Sequence, residues 1–273
     1  MENLNGKIAL VTGAGSGIGR ATSLKFAECG MDIAIADVDE DAGKETASLI
    51  QSLGQKAIVI KTDVSNRSSV ENLAIEVNEK LGVPHVLFNN AGVVMFKNIV
   101  EMTSDDWSWV MGVNLDGVIN GISVFVPHMV KAGNSGHIIN TASTAGLFGY
   151  AGLTSYCASK FAVVGLSEHL RRDLEPYNIG VSVLCPAQVD TQIASAGRNR
   201  PDVFGGPEEP SAVAKQVGIG IAQGVKADFV GKLVVNAVKE NEPFILTHSD
   251  VQTDIENRLN NLRRAFKLYA EKK

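Results

Sequence analysis

The strongest constraint in this chain is the alternation of two hydrophobic periods. Short β-branched runs occur at Lys7–Val11, Asp32–Ala36, Lys56–Ile60, Val86–Phe88, His137–Asn140, Val181–Leu184 and Phe244–Leu246. Longer amphipathic stretches lie between them and predict helices up to about Cys29, from Glu40 to about Leu53 and from near Ser68 to Leu81. Strand and helix alternating at this length build right-handed βαβ units. The expected fold is α/β: one Rossmann-type doubly wound domain over residues 1–249, with a seven-stranded, mostly parallel sheet and helices on both faces. A chain of 273 residues with 45% hydrophobic content can bury such a core undivided. Residues 250–273 read as a charged, amphipathic helical extension.

In such a sheet, ligands bind outside the carboxyl ends of the strands, where the strand order reverses. The first strand runs into Thr12-Gly13-Ala14-Gly15-Ser16-Gly17-Ile18-Gly19. The spacing is GxxxGxG rather than GxGxxG, but the physics is shared: a tight turn, close approach of bare backbone to a pyrophosphate, and a helix N-terminus with unpaired N–H groups. Such a loop also suits any tight strand-to-helix turn. The second strand ends in Ala36-Asp37-Val38, placing Asp37 about 20 residues beyond the glycines. A carboxylate there accepts hydrogen bonds from an adenosine ribose and repels a 2′-phosphate, which favours NAD over NADP. Asp63-Val64 after the third strand and Asn89-Asn90-Ala91-Gly92 after the fourth extend the same crevice.

Tyr156 and Lys160 stand four residues apart at the head of a helix, so phenol and ammonium share one face. A free phenol titrates near about pH 10, and an adjacent cation is expected to lower it towards a working acid/base. Ser143 follows the fifth strand, where its hydroxyl can meet a substrate oxygen.

Residues 5 to 247 resemble the short-chain dehydrogenase/reductase family, through the glycine motif at 12–19, Asp63, Asn89-Asn90-Ala91-Gly92, Asn114, Ser143 and Tyr156-x-x-x-Lys160. The resemblance implies a catalytic set of Asn114, Ser143, Tyr156 and Lys160. Tyr156 would exchange the proton, Ser143 would polarise the carbonyl, and Lys160 would tune the phenol and hold the nicotinamide ribose. Asn114, in a distorted helix, would position a water relaying protons from Lys160 to solvent. The cofactor contacts implied are Gly13, Ser16, Gly17, Ile18, Gly19, Asp37, Val38, Asp63, Val64, Asn90, Ala91, Gly92, Tyr156, Lys160, Pro186, Val189 and Thr191. The substrate contacts are Ser143, Ala145, Tyr156 and Gln188. One departure is Ala187, where the family usually has glycine after Pro186. An extended backbone there would tolerate it.

The expected function is interconversion of a secondary alcohol and its ketone with NAD, the alternatives being an acyl-chain 3-ketoreductase or a non-catalytic NAD(H)-binding sensor. The expected substrate lining, including Val94, Met95, Phe96, Leu147, Phe148, Tyr150, Leu153 and Ile193, holds no base. An uncharged, bulky or aromatic substrate is therefore favoured. The Gly-, Pro- and Arg-rich stretch Ala194–Pro210 reads as a mobile loop over the site, with Arg198 and Arg200 available to an anionic tail. Net charge −5 with interspersed signs argues against nucleic acid, and the apolar runs look too short to span a membrane. Three cysteines without a close pair fit a reducing cytoplasm and plain packing, and five scattered histidines suggest no metal site. The resemblance also implies a homo-oligomer, a tetramer before a dimer, packed through helices over residues 104–132 and 155–175.

Overall fold

Each of the seven runs forms a strand in the computed structural model, which describes residues 1–270. The strands are β1 (Ile8–Thr12), β2 (Asp32–Asp37), β3 (Ala57–Lys61), β4 (Val86–Asn89), β5 (Gly136–Thr141), β6 (Ile179–Cys185) and, after the two-residue pair β7 (Val189–Asp190) and β8 (Val225–Lys226), β9 (Phe244–Leu246). The seven long strands are all parallel, in the order β3-β2-β1-β4-β5-β6-β9. The order reverses between β1 and β4, and there the crevice opens.

Strand side chains alternate between two cores, as a sheet buried on both faces requires. Val11, Ile33, Ile35 and Ile139 face one way, against Phe26 of α1 (Gly17–Glu28), Ile50 of α2 (Glu40–Ser52) and Val230, Val234 and Val238 of α8 (Ala227–Glu240). Leu10, Ala34, Leu87 and Ile138 face the other, against Leu73 and Val77 of α3 (Arg67–Lys80), Phe125 and Met129 of α5 (Gly117–Ala132) and Leu174 of α6 (Thr154–Leu174). Local chemistry sets the helix starts. The side chains of Asp39 and Asn66 accept hydrogen bonds from Ala42 N and Ser69 N, capping α2 and α3.

Helix α4 (Ser104–Met111) continues through a π-helical turn, Gly112–Asp116, into α5. This corrects the reading of apolar run length: Ser104–Ala132 is long and apolar enough to cross a membrane by length and composition, yet its Trp109, Val118, Phe125 and Met129 are buried within the fold. Helix α7 (Ala212–Ala222) follows the 194–210 stretch, and α9 (Gln252–Ala270) ends the described chain with no buried residue, its Arg258 lying over the Phe161 ring at 5.2 Å. Positions 271–273 of the expected extension lie outside the described residues.

Candidate active site

The β1–α1 turn is shaped by two glycines in the left-handed region, Gly13 (φ +64) and Gly17 (φ +52). A Cβ on Gly13 would lie 2.9 Å from Ala91 Cα, so the turn can close against the chain after β4 only with glycine there. Ser16 precedes α1 without capping it through its side chain, leaving the helix N-terminus to the cleft. Gly19 does not line the cleft; a Cβ there would collide with the Gly13 carbonyl, so it serves the packing of α1 on the turn.

Thr12 and Asn90 tie the neighbouring strand ends together. Thr12 Oγ1 accepts from Asn90 N (2.9 Å) and Ala91 N (3.1 Å), and Asn90 Nδ2 donates to Thr12 O (3.0 Å). Asp37 closes the far side: its carboxylate accepts from Gly15 N (2.7 Å) and Asp39 N (3.0 Å). Arg20, the nearest base, is tied down by Thr46 (2.9 Å) and by Glu45 (2.9 Å). Asp63 is fixed by Ser65, whose N and Oγ donate to Oδ1 at 2.9 and 2.6 Å.

The resulting cleft of ≈ 460 Å³ runs from Asp37 and Val38, past Ser16, Gly17 and Ile18, to Asp63, Val64, Asn90, Ala91 and Gly92, and on to Ser143, Tyr156 and Lys160. Pro186, Val189 and Thr191 border it. Ala187 also lines it and lies outside the left-handed region, so its methyl costs no strain; its N–H donates to Thr247 Oγ1 (3.2 Å).

At the inner end, Ser143 Oγ accepts from Ala145 N (3.1 Å) and lies within donating reach of Pro186 O (3.2 Å), which places the hydroxyl between the ends of β5 and β6. Lys160 is buried, donates to Thr141 O (2.8 Å) and stands 5.5 Å from the centre of the Tyr156 ring. Burial pushes the Lys160 ammonium down to about 8. Burial also pushes the Tyr156 phenol up to about 12, against the opposing hydrogen bond from Ser143. The net shift of the phenol is thus opposite to the expected one. Desolvation disfavours both charged forms, and the ammonium is engaged by a carbonyl rather than by the phenol oxygen.

Asn114 does not line the cleft. Its fully buried amide accepts from Val93 N (2.8 Å) and donates to Val93 O (2.9 Å) and Ser159 Oγ (3.2 Å). The side chain clamps the Gly92–Val93 chain beside Lys160. Two expected substrate contacts also fall away from the cleft. Ala145 is buried in a 3-10 turn, Thr144–Gly146, and the Gln188 side chain leans on α7, where a Cβ on Gly220 would lie 3.4 Å from its Nε2. Of the expected apolar lining only Ile193 is present; the wall is completed by Val93, Trp109, Val113, Ala196 and Ile221. Trp109 reaches the cleft because the helix before the π turn passes beneath it, which residue spacing alone does not reveal. Cys157 and Cys185 are buried, and burial raises the Cys185 thiol to about 12, a packed and unreactive state.

The short chain dehydrogenase family model matches residues 7–202. A C alpha-dehydrogenase of a Sphingobium species is 35% identical over 260 residues, covering 94% of this chain and 85% of that protein. A CLA biosynthesis dehydrogenase/reductase of Lactiplantibacillus plantarum is 32% identical over 271 residues, covering 95% and 94%. A short chain dehydrogenase/reductase from Burkholderia phymatum, solved in complex with NAD, superposes with a TM-score of 0.93 at 40% identity, covering 97% of both chains. On its sequence, its sheet and the residues converging on this cleft, the chain belongs to the short-chain dehydrogenase family of oxidoreductases.

Proposed function

We propose that the protein interconverts a secondary alcohol and its ketone using NAD. The observation that carries this reading is one continuous cleft with Asp37 and the bare glycine turn at one end and Ser143, Tyr156 and Lys160 at the other. The donor set suits a nicotinamide dinucleotide. The uncapped N-terminus of α1 and the side-chain-free turn can receive a pyrophosphate, and Asp37 can accept from ribose hydroxyls. Asp37, with Asp39 and Glu45 also on the lining and Arg20 neutralised, favours NAD over its 2′-phosphorylated form. When bound, the cofactor supplies or accepts a hydride at the substrate carbon.

The chain's own residues handle the proton. A phenol held at about 12 is neutral near pH 7 and stands ready to donate to a ketone oxygen. Ser143 orients that oxygen from a hydroxyl whose position the protein has already fixed. Lys160, charged below about 8, supplies positive charge where Tyr156 would become phenolate. Alcohol oxidation requires the phenol to lose its proton first, so its initial rate should rise with pH while ketone reduction does not. The deciding assay follows nicotinamide absorbance with NAD or NADP and a panel of secondary alcohols and ketones. Tyr156→Phe should lower kcat by about 10²–10⁴-fold with cofactor affinity retained; full activity in that variant would overturn the reading.

A further inference from the structure

The stretch expected to be a loop over the site is built around a buried cation. Residues Ile193–Asn199 and Asp202–Phe204 form 3-10 turns, and the loop closes on itself through Glu208 N to Gly197 O (3.0 Å) and Gly206 N to Pro201 O (3.1 Å). At its centre Arg200, with a side chain only 4% exposed, donates from Nε to Phe204 O (2.6 Å) and pairs with Glu208 (2.6 Å). It reaches out of the loop to pair with Asp106 of α4, at 2.8 Å.

Asp106 is fully buried and anchored on its own side, accepting from Thr103 N (2.8 Å) and Lys97 Nζ (2.7 Å). Burial pushes this carboxyl up, but the bonds from Lys97 and Thr103 outweigh burial and hold it at about 2, so it is charged. Its Oδ1 contact with Arg200 is a charge pair rather than an aligned hydrogen bond. The Arg200 guanidinium also lies 5.7 Å from the ring of Trp109, and Phe204 and Ala196 pack against the same indole. Trp109, Ala196 and Pro201 all line the same cleft as Ser143 and Tyr156. Charges cancel within the group of Lys97, Arg200, Asp106 and Glu208. Arg200 is the one member that joins the loop to the helix bearing the cleft-lining tryptophan.

We propose that Arg200, latched to Asp106, is a specificity-determining positioning residue: it holds the 193–208 loop and Trp109 together as one rigid apolar wall against the larger substituent of the substrate. The proposal rests on the alcohol/ketone reading above. The wall lines the same cleft as Ser143 and Tyr156 but includes neither, so loosening it weakens selection for bulk without removing a group that meets the reacting oxygen. A buried pair that loses one partner leaves the other uncompensated. Arg200→Met is therefore the informative change, since Asp106 keeps Lys97 and Glu208 is half-exposed. Arg200→Lys keeps the charge but not the fork that serves Phe204, Glu208 and Asp106 together.

The test has two arms. Trp107→Phe leaves Trp109 as the sole tryptophan of a chain that has two, and acrylamide quenching then reports on the wall without any turnover. Arg200→Met should raise the quenching constant about threefold or more and Arg200→Lys should fall between, as a released, half-open loop exposes the indole. In turnover, Arg200→Met should raise KM for 1-phenylethanol about tenfold while KM for 2-propanol moves less than about twofold, the size expected of lost apolar contacts. A variant damaged only in folding would lose kcat equally for both alcohols and spare the KM ratio, which would overturn the proposal, as would quenching equal to the parent in both variants. If Arg200→Met does not fold, Arg200→Lys decides by the same two readouts. A parent that oxidises neither alcohol would count against the alcohol/ketone reading, and the quenching arm would still decide the latch.

Discussion

Tyr156 and Lys160 are displaced in opposite directions, the phenol up to about 12 and the ammonium down to about 8, because burial penalises the charged form of each. At the other end of the cleft Asp37 carries two tasks, receiving Gly15 N and presenting negative charge to an adenosine ribose. Asp37→Asn removes the charge and keeps one acceptor oxygen. It should lower the kcat/KM preference for NAD over NADP by about tenfold or more, roughly 1.4 kcal/mol. Steady-state kinetics with both cofactors checks this, and an unchanged preference would remove Asp37 as the discriminator. All three residues were legible in the sequence from their spacing. The direction of the Tyr156 shift was not, because desolvation depends on what covers a side chain, and no spacing records that.

At the scale of elements, the π turn at Gly112–Asp116 rotates Asn114 inward so that its amide meets both main-chain groups of Val93. Asn114→Ala leaves a buried N–H and a buried C=O unpartnered, and should cost about 2 kcal/mol or more. Urea unfolding measures the loss, and an unchanged midpoint would mean that the clamp is dispensable. The apolar period over residues 104–132 predicts helix, but one register slip within it leaves almost no mark in composition. The 194–210 stretch shows the same gap between composition and contact. Its glycines and prolines predict loop, while the pairing of Arg200 with Asp106, far away in sequence, orders it. Gln188 was read into the site from its position after β6, yet it turns towards α7.

The molecule as a whole buries His137 in β5, with Nε2 2.8 Å from Ser182 Oγ on β6. Burial, with minor contributions from the positive charges of the N-terminus and Arg171, lowers this imidazole from 6.5 to about 3. Between those values the unfolded chain binds a proton that folded His137 refuses, so the contribution is fully present above pH 6.5 and is lost as pH falls towards 3. At most one proton is involved, or about 1.4 kcal/mol per pH unit. His137→Gln should flatten this slope. Urea midpoints at pH 7, 5.5 and 4 test it, and parallel losses in parent and variant would show that other groups govern acid unfolding.

By itself the sequence determined the parallel seven-stranded sheet, because strand and helix periods are local and βαβ handedness leaves few alternatives. It also located Gly13, Gly17, Asp37, Asn90 and Ser143 at or just after strand ends and Tyr156 and Lys160 at the head of a helix, and topology draws them into one cleft. Only the tertiary structure decided that burial moves the Tyr156 phenol up rather than down, that the Asn114 side chain braces the chain beside the cleft rather than lining it, and that Arg200 stands over the cleft-lining Trp109. These are properties of burial and of contacts between residues distant in the chain, and a one-dimensional pattern carries neither.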